Sequence, residues 1–204
     1  MTRINRKIRN KSERTQQALL DAAIKIIGAK GYSAATVDEI VKEAGVSKGV
    51  AYYHFKNKED IASYILQREY AVLISEFENI AEQQGTSKET LLQMLRAFAT
   101  YLYNHKELAQ FFSAEIWRNG RAWTDDVRGN AQHLIDIISQ QLEKGQKQGP
   151  IRQHLDCSFA AASIVGMVIV DSMYVMSGED KPTLTCDEFV ERIFDFVHNA
   201  IIAK

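Results

Sequence analysis

The 204-residue sequence predicts an all-α chain of nine helices. Three observations carry that expectation. No run of alternating polarity is bounded by turn residues, as a half-buried strand would require. Apolar residues recur instead at the three- and four-residue spacing of helices. Only two prolines interrupt the chain, while Thr36, Thr86 and Thr185, each followed three residues on by Glu39, Glu89 or Glu188, form capping boxes that mark helix starts.

Taken in order, residues 1–11 hold Arg3, Arg6, Lys7, Arg9 and Lys11 without an acid and with little to bury, so they are expected to be a disordered basic arm. The first helix begins near Ser12. Leu19, Ala22, Ala23, Ile26 and Ile27 give it an apolar face, and Gly31 stops it. Thr36 caps a second helix whose inward face is Val37, Ile40, Val41 and Ala44. Gly45 supplies a turn, Val46 plugs it and Ser47 caps a third helix. Asn57 with Asp60 starts a fourth that runs to about residue 83, a rod of roughly 35 Å or more. The remaining helices are expected over about 86–104, 106–117, 124–147, 156–177 and 185–202, with a break at Gly149-Pro150. The domain boundary falls at the fourth helix, giving a head of residues 1–57 and a helical body of 58–204.

Charge supports that division. Residues 1–58 carry twelve Lys/Arg against five Asp/Glu, a net +7, whereas 59–204 carry thirteen against twenty-one, a net −8. A basic head on an acidic body points to a polyanionic partner for the head alone. Cys157 and Cys186 match no metal-ligand or redox spacing, so two buried or half-buried thiols in a cytoplasmic protein are expected, with no metal and no cofactor. The run 159–176 is apolar for about a bilayer's thickness, yet Ser163, Asp171 and Ser172 and its small-residue face suit a packed helix better than a membrane span. No Gly-rich phosphate loop, HExxH or nucleophile elbow is present, so no enzyme is expected.

The third helix reads Ser47-Lys48-Gly49-Val50-Ala51-Tyr52-Tyr53-His54-Phe55. Ala51 and Phe55, one turn apart, belong inside with Val46 and Ile40. The outward face then holds Lys48, Gly49, Tyr52, Tyr53 and His54. Lys48 is suited to guanine O6 and N7 or to phosphate, and Gly49 to close backbone approach to base edges. The two tyrosines combine a phenol donor with a ring that rests on sugar or a thymine methyl. Thr36 offers a hydroxyl and N–H groups to a phosphate, and Lys58 a charge to the same strand.

These residues carry a family resemblance. Gly31-Tyr32, Thr36, Ile40, Ala44-Gly45-Val46-Ser47, Gly49, Tyr52, His54-Phe55, Lys58 and Ile61 together resemble the DNA-binding head of the tetracycline-repressor (TetR) type. The resemblance implies a TetR-like fold, a homodimer, and a body that binds a ligand and dimerises. It implies phosphate contacts from Thr36, Tyr52, His54 and Lys58, and base contacts from Lys48, Gly49 and Tyr53, on a double-stranded DNA operator. Ser47 and Val50 complete the candidate set. Val50 departs from the threonine often found there and leaves only a thymine-methyl contact. Ala51 stands where a larger aliphatic is common. The basic arm either reaches a minor groove or stays a solvated tail.

In the body, aromatics crowd 98–123. Phe98, Tyr101, Phe111, Phe112, Trp117 and Trp123 suit an apolar pocket for an apolar or aromatic small molecule, with Glu115, His133, Asp171 and Tyr174 as polar handles. The resemblance makes the last two helices the dimer interface, through Ala160, Ser163, Ile164, Met167, Phe189, Ile193, Phe196 and Val197. The function expected is a ligand-responsive repressor that binds a palindromic operator as a homodimer and is released by a small molecule. The alternative is a TetR-like DNA-binding protein without an inducer, controlled by a protein partner in the manner of nucleoid-occlusion factors or global regulators.

Overall fold

The computed structural model describes residues 3–116, 125–176 and 184–202. Within them lie nine helices: α1 (Arg3–Lys30), α2 (Val37–Glu43), α3 (Lys48–His54), α4 (Lys58–Glu82), α5 (Ser87–Asn104), α6 (Lys106–Ile116), α7 (Asp125–Gln148), α8 (Cys157–Met176) and α9 (Cys186–Ile201). The one β element among these residues is an isolated bridge between Ile151 and Ile202. The all-α expectation holds.

All three expected capping boxes form. Thr36, Thr86 and Thr185 each accept from the backbone N–H three residues on, while the glutamate there accepts from the threonine N–H. The Thr86 and Thr185 N–H groups hold the Glu89 and Glu188 carboxyls below the usual range, and Lys30, with Thr36, does the same for Glu39. One boundary needs correction. The helix was expected to start near Ser12 after a disordered arm, but α1 continues back to Arg3. Residues 3–11 contain neither Pro nor Gly, and adding a turn to an existing helix costs far less than nucleating one.

Helix α4 is shared by head and body. Its first half buries Ile61, Ala62, Ile65 and Leu66, and its second half Leu73, Phe77 and Ile80. It packs on α1 in the head and on α5 and α7 in the body, so the buried residues form one continuous cluster. The other side of α1 lies along α6, the most extensive helix pairing in the structure. Gly28 permits that approach. A Cβ there would fall 2.9 Å from the Glu107 carbonyl oxygen and 3.1 Å from Gln110 Cβ. The first of these is backbone and cannot swing aside.

Helix α8 is long and apolar enough, by length and composition, to cross a bilayer. In the fold it packs on α5, α6 and α7, burying Ala161, Val168, Ile169 and Ser172. The Ser172 hydroxyl donates to the Val168 carbonyl at 2.6 Å, so its polar group is satisfied within the helix. Cys157 is buried and Cys186 half-buried, both as free thiols, as expected.

The α1–α6 contact yields a test. Gly28→Ala gains about 0.5–1 kcal/mol of helix propensity but overpacks the contact at a cost of about 1–3 kcal/mol. A net fall in Tm of about 2–8 °C by circular dichroism is expected. An unchanged or raised Tm would show that the two helices are free to separate.

Candidate nucleic-acid interface and effector site

The head presents α3 by a tight turn. Gly45 adopts φ 66°, the Val46 N–H returns to the Val41 carbonyl at 3.0 Å, and the Ser47 hydroxyl caps α3 at the Val50 N–H. Ala51 and Phe55 are buried, which turns Lys48, Gly49, Val50, Tyr52 and Tyr53 outward, with Tyr53 82% exposed. His54 is half-buried, its ring edge-on to Tyr53 at 5.2 Å. Nothing in the protein lies within 4 Å of a Cβ built on Gly49. Glycine in a helix costs about 0.5–1 kcal/mol against alanine, and the packing of this chain gives no reason for it. The Lys48 ammonium rests on the Asp38 carboxylate at 2.6 Å, a hydrogen bond that raises its pKa. This exposed pair holds Lys48 between α2 and α3.

Two candidates sit differently from expectation. The Thr36 hydroxyl is already engaged with Glu39 in its capping box. Lys58 was expected to face a DNA strand, but its ammonium donates to the Tyr32 carbonyl at 2.5 Å and the Ala35 carbonyl at 2.6 Å, above the Tyr32 ring at 4.2 Å. Those carbonyls belong to the irregular segment between α1 and α2, where no helix supplies them with a donor. Lys58 therefore ties α4 to the segment between α1 and α2. In a head full of cations, sequence alone gives no way to single out Lys58 as turned inward.

The body contains a narrow apolar cavity. Phe77 of α4, Leu91, Met94, Leu95 and Phe98 of α5, Ile138 of α7, Ile164 of α8, and Phe194, Val197 and Ile201 of α9 line it, with Lys88 and His198 also on its wall. Of the expected ligand residues that the structure describes, only Phe98 is there. Phe111 and Phe112 are core, the latter edge-on to Tyr70 at 5.8 Å. Glu115 is buried on α6, away from the cavity lining. His133 is exposed on α7 and meets Glu78 at 3.3 Å. Tyr101 is not on the cavity lining and donates its hydroxyl to Glu69 of α4 instead. Asp171 and Tyr174 line a shallow outer groove between α8 and α9, where burial raises the Asp171 carboxyl. Trp117 and Trp123 lie outside the described residues.

The α8–α9 surface also divides the expected interface residues. Ala160, Phe189, Ile193 and Val197 are buried within the subunit, and Ile164 and Val197 line the cavity. Met167 borders the outer groove. Ser163 and Phe196 face outward with Phe159 and Val170, which were not expected at the interface, and with Tyr174, which was expected to be a ligand handle; Phe159 is 73% and Phe196 68% exposed. Their spacing along α8 makes a single stripe.

Comparison with known proteins places this geometry. Residues 19–65, from within α1 to the first half of α4, match the family model for bacterial regulatory proteins of the tetR family. The HTH-type transcriptional regulator SrpR of Pseudomonas putida is 39% identical over 167 residues, covering 80% of this chain and 76% of that protein. The chain belongs to the tetR family. The fatty acid metabolism regulator protein of Bacillus subtilis is 27% identical over 150 residues, covering 74% of this chain and 77% of that one. The fold of this TetR-family chain also matches that of the transcriptional regulator FadR from Bacillus subtilis in complex with stearoyl-CoA. That match has a TM-score of 0.77 at 23% identity and covers 91% of this chain and 98% of that one. Like its relatives, this chain is a DNA-binding transcriptional regulator.

The inward and outward side chains of the head separate experimentally. Lys58→Met keeps the stem but loses both carbonyl contacts, and its expected cost is about 1–3 kcal/mol, read as a Tm lowered by several degrees. Tyr53→Ala removes an exposed ring, and its Tm should stay within about 2 °C of the parent. Equal Tm values for Lys58→Met and the parent would return Lys58 to the DNA-facing set.

Proposed function

We propose that this chain is a ligand-responsive repressor that binds a palindromic operator as a homodimer and leaves it when a small apolar molecule occupies the body. The observation that supports this reading best is Phe77. It sits on the cavity wall while belonging to α4, the helix whose other end is packed into the DNA-reading head. An occupant that pushes on this wall pushes on the helix that sets the tilt of α3.

Lys48, Gly49, Tyr52 and Tyr53 are the proposed groove-facing residues, with Ser47, Val50, His54 and Thr36 beside them. The outward stripe of α8, with Phe196 of α9, is the proposed dimer face. One seven-residue helix reads too few base pairs to be specific, so function requires two of them, about one DNA turn or a multiple of it apart. The lining suits a long hydrocarbon body, and Lys88 gives an anionic head group a partner. The acyl-CoA bound by the Bacillus FadR structure has that chemistry, which makes a long-chain acyl thioester the proposed effector class.

Fluorescence anisotropy on the DNA upstream of the chain's own gene tests both halves. Operator affinity should fall about 10³-fold or more between 50 and 200 mM salt if six or more phosphates are contacted. Tyr53→Ala and Lys48→Ala should each weaken binding about tenfold or more. Stearoyl-CoA should weaken binding of the parent protein at fixed salt. Affinity unchanged by stearoyl-CoA and by stearate would remove the acyl effector and favour control by a protein partner.

A further inference from the structure

Between the head and the body, at the C-terminal end of α5, lies a second and polar crevice. Gln17, Asp21 and Lys25 of α1, Arg68 and Glu69 of α4, and Tyr101 and His105 at the end of α5 line it. Its centre is Glu69, a carboxylate only 4% exposed. One oxygen accepts from Arg68 Nε at 2.8 Å and Nη2 at 2.5 Å, and the other accepts from the Tyr101 hydroxyl. The remaining Arg68 nitrogen, Nη1, donates to Gln17 Oε1 at 2.9 Å, and Gln17 in turn donates to Asp21 at 2.7 Å. A single chain of polar contacts thus joins α5 of the body, α4 and α1 of the head.

We infer that Glu69 and Tyr101 form a latch that holds α4 in its operator-binding tilt and opens when the apolar cavity fills. This inference rests on the repressor reading above. The latch and the cavity wall share one helix. Leu91, Met94, Leu95 and Phe98 face the cavity from α5, and Tyr101 follows Phe98 by three residues, about 4.5 Å along the axis. Helices in allosteric proteins shift by about 1–2 Å, and a hydrogen bond does not survive stretching beyond about 3.5 Å. An α5 displaced by an occupant carries the phenol off Glu69. A buried carboxylate that loses a donor is strongly disfavoured, so the cost falls on the position of α4. Burial and the Glu69 carboxylate both raise the Tyr101 pKa, so the phenol stays protonated and remains a donor. Both residues are positioning residues and neither faces DNA.

The test uses full-length protein and the variants Tyr101→Phe, Glu69→Gln and the pair combined. Tyr101→Phe keeps the ring and removes only the hydroxyl, so it carries the test should Glu69→Gln fold poorly. Operator affinity is measured at one salt concentration, at a temperature where circular dichroism shows every protein folded, and amide exchange over residues 61–73 is measured without DNA. Operator binding about tenfold weaker in Tyr101→Phe, little further loss in the double variant, and faster exchange in α4 are expected. Parent-like affinity and exchange in Tyr101→Phe would overturn the latch. So would a lowered Tm with unchanged affinity, which is the mark of a purely structural bond. Failure of the parent protein to bind DNA while Tyr101→Phe still speeds exchange would remove the repressor reading and leave the mechanical link. Parent binding with no exchange difference would do the reverse.

Discussion

Everything in this molecule depends on α4 having one buried side that serves two cores. Ile61, Ala62, Ile65 and Leu66 close the head, and Leu73, Phe77 and Ile80 close the body, all on one helix of 25 residues. A helix of that length spans about 37 Å and bends little without a proline or an inserted side chain. Neither core can repack without the other registering it. The close seating of α1 on α6 at Gly28 fixes a second point of contact, so the head is held from two sides rather than hung from a linker.

Against that rigid frame, the exposed residues of α3 stand out because the fold has no use for them. Tyr53 buries little, Gly49 leaves open space around it, and Lys48 is steadied by Asp38 on the neighbouring helix. They cost the isolated chain stability or give it nothing. A surface of this kind, on the basic end of a chain whose remainder is acidic, is arranged for a polyanion. The tetR family membership then gives the surface its role as a DNA reader.

The sequence made the head readable because its signals are local. Capping boxes, the Gly45 turn and the alternation of Ala51 and Phe55 with polar neighbours each need only a few adjacent residues, and each forms as expected. Where the reading went astray, the information was three-dimensional. Cavity-lining residues and core residues have the same chemistry, so sequence does not separate Phe111 and Phe112 in the core from Met94, Ile138 and Phe194 on the cavity wall. Helix α8 is apolar on nearly every side, so periodicity could not tell the inward Ala160 and Ile164 from the outward Phe159 and Val170. Lys58, expected to offer its charge to a DNA strand, and the carboxylate of Glu69 are both turned inward by packing that no local pattern on α4 reveals.

The central claim is mechanical: filling the body moves the heads. Spin labels at Lys56→Cys in each subunit, in a background with Cys157→Ser and Cys186→Ser, report the head-to-head distance by electron–electron resonance. The account predicts one narrow distance in the free dimer and on DNA, and a shift of several ångströms when stearoyl-CoA is bound. Bound stearoyl-CoA with an unchanged distance distribution would contradict it.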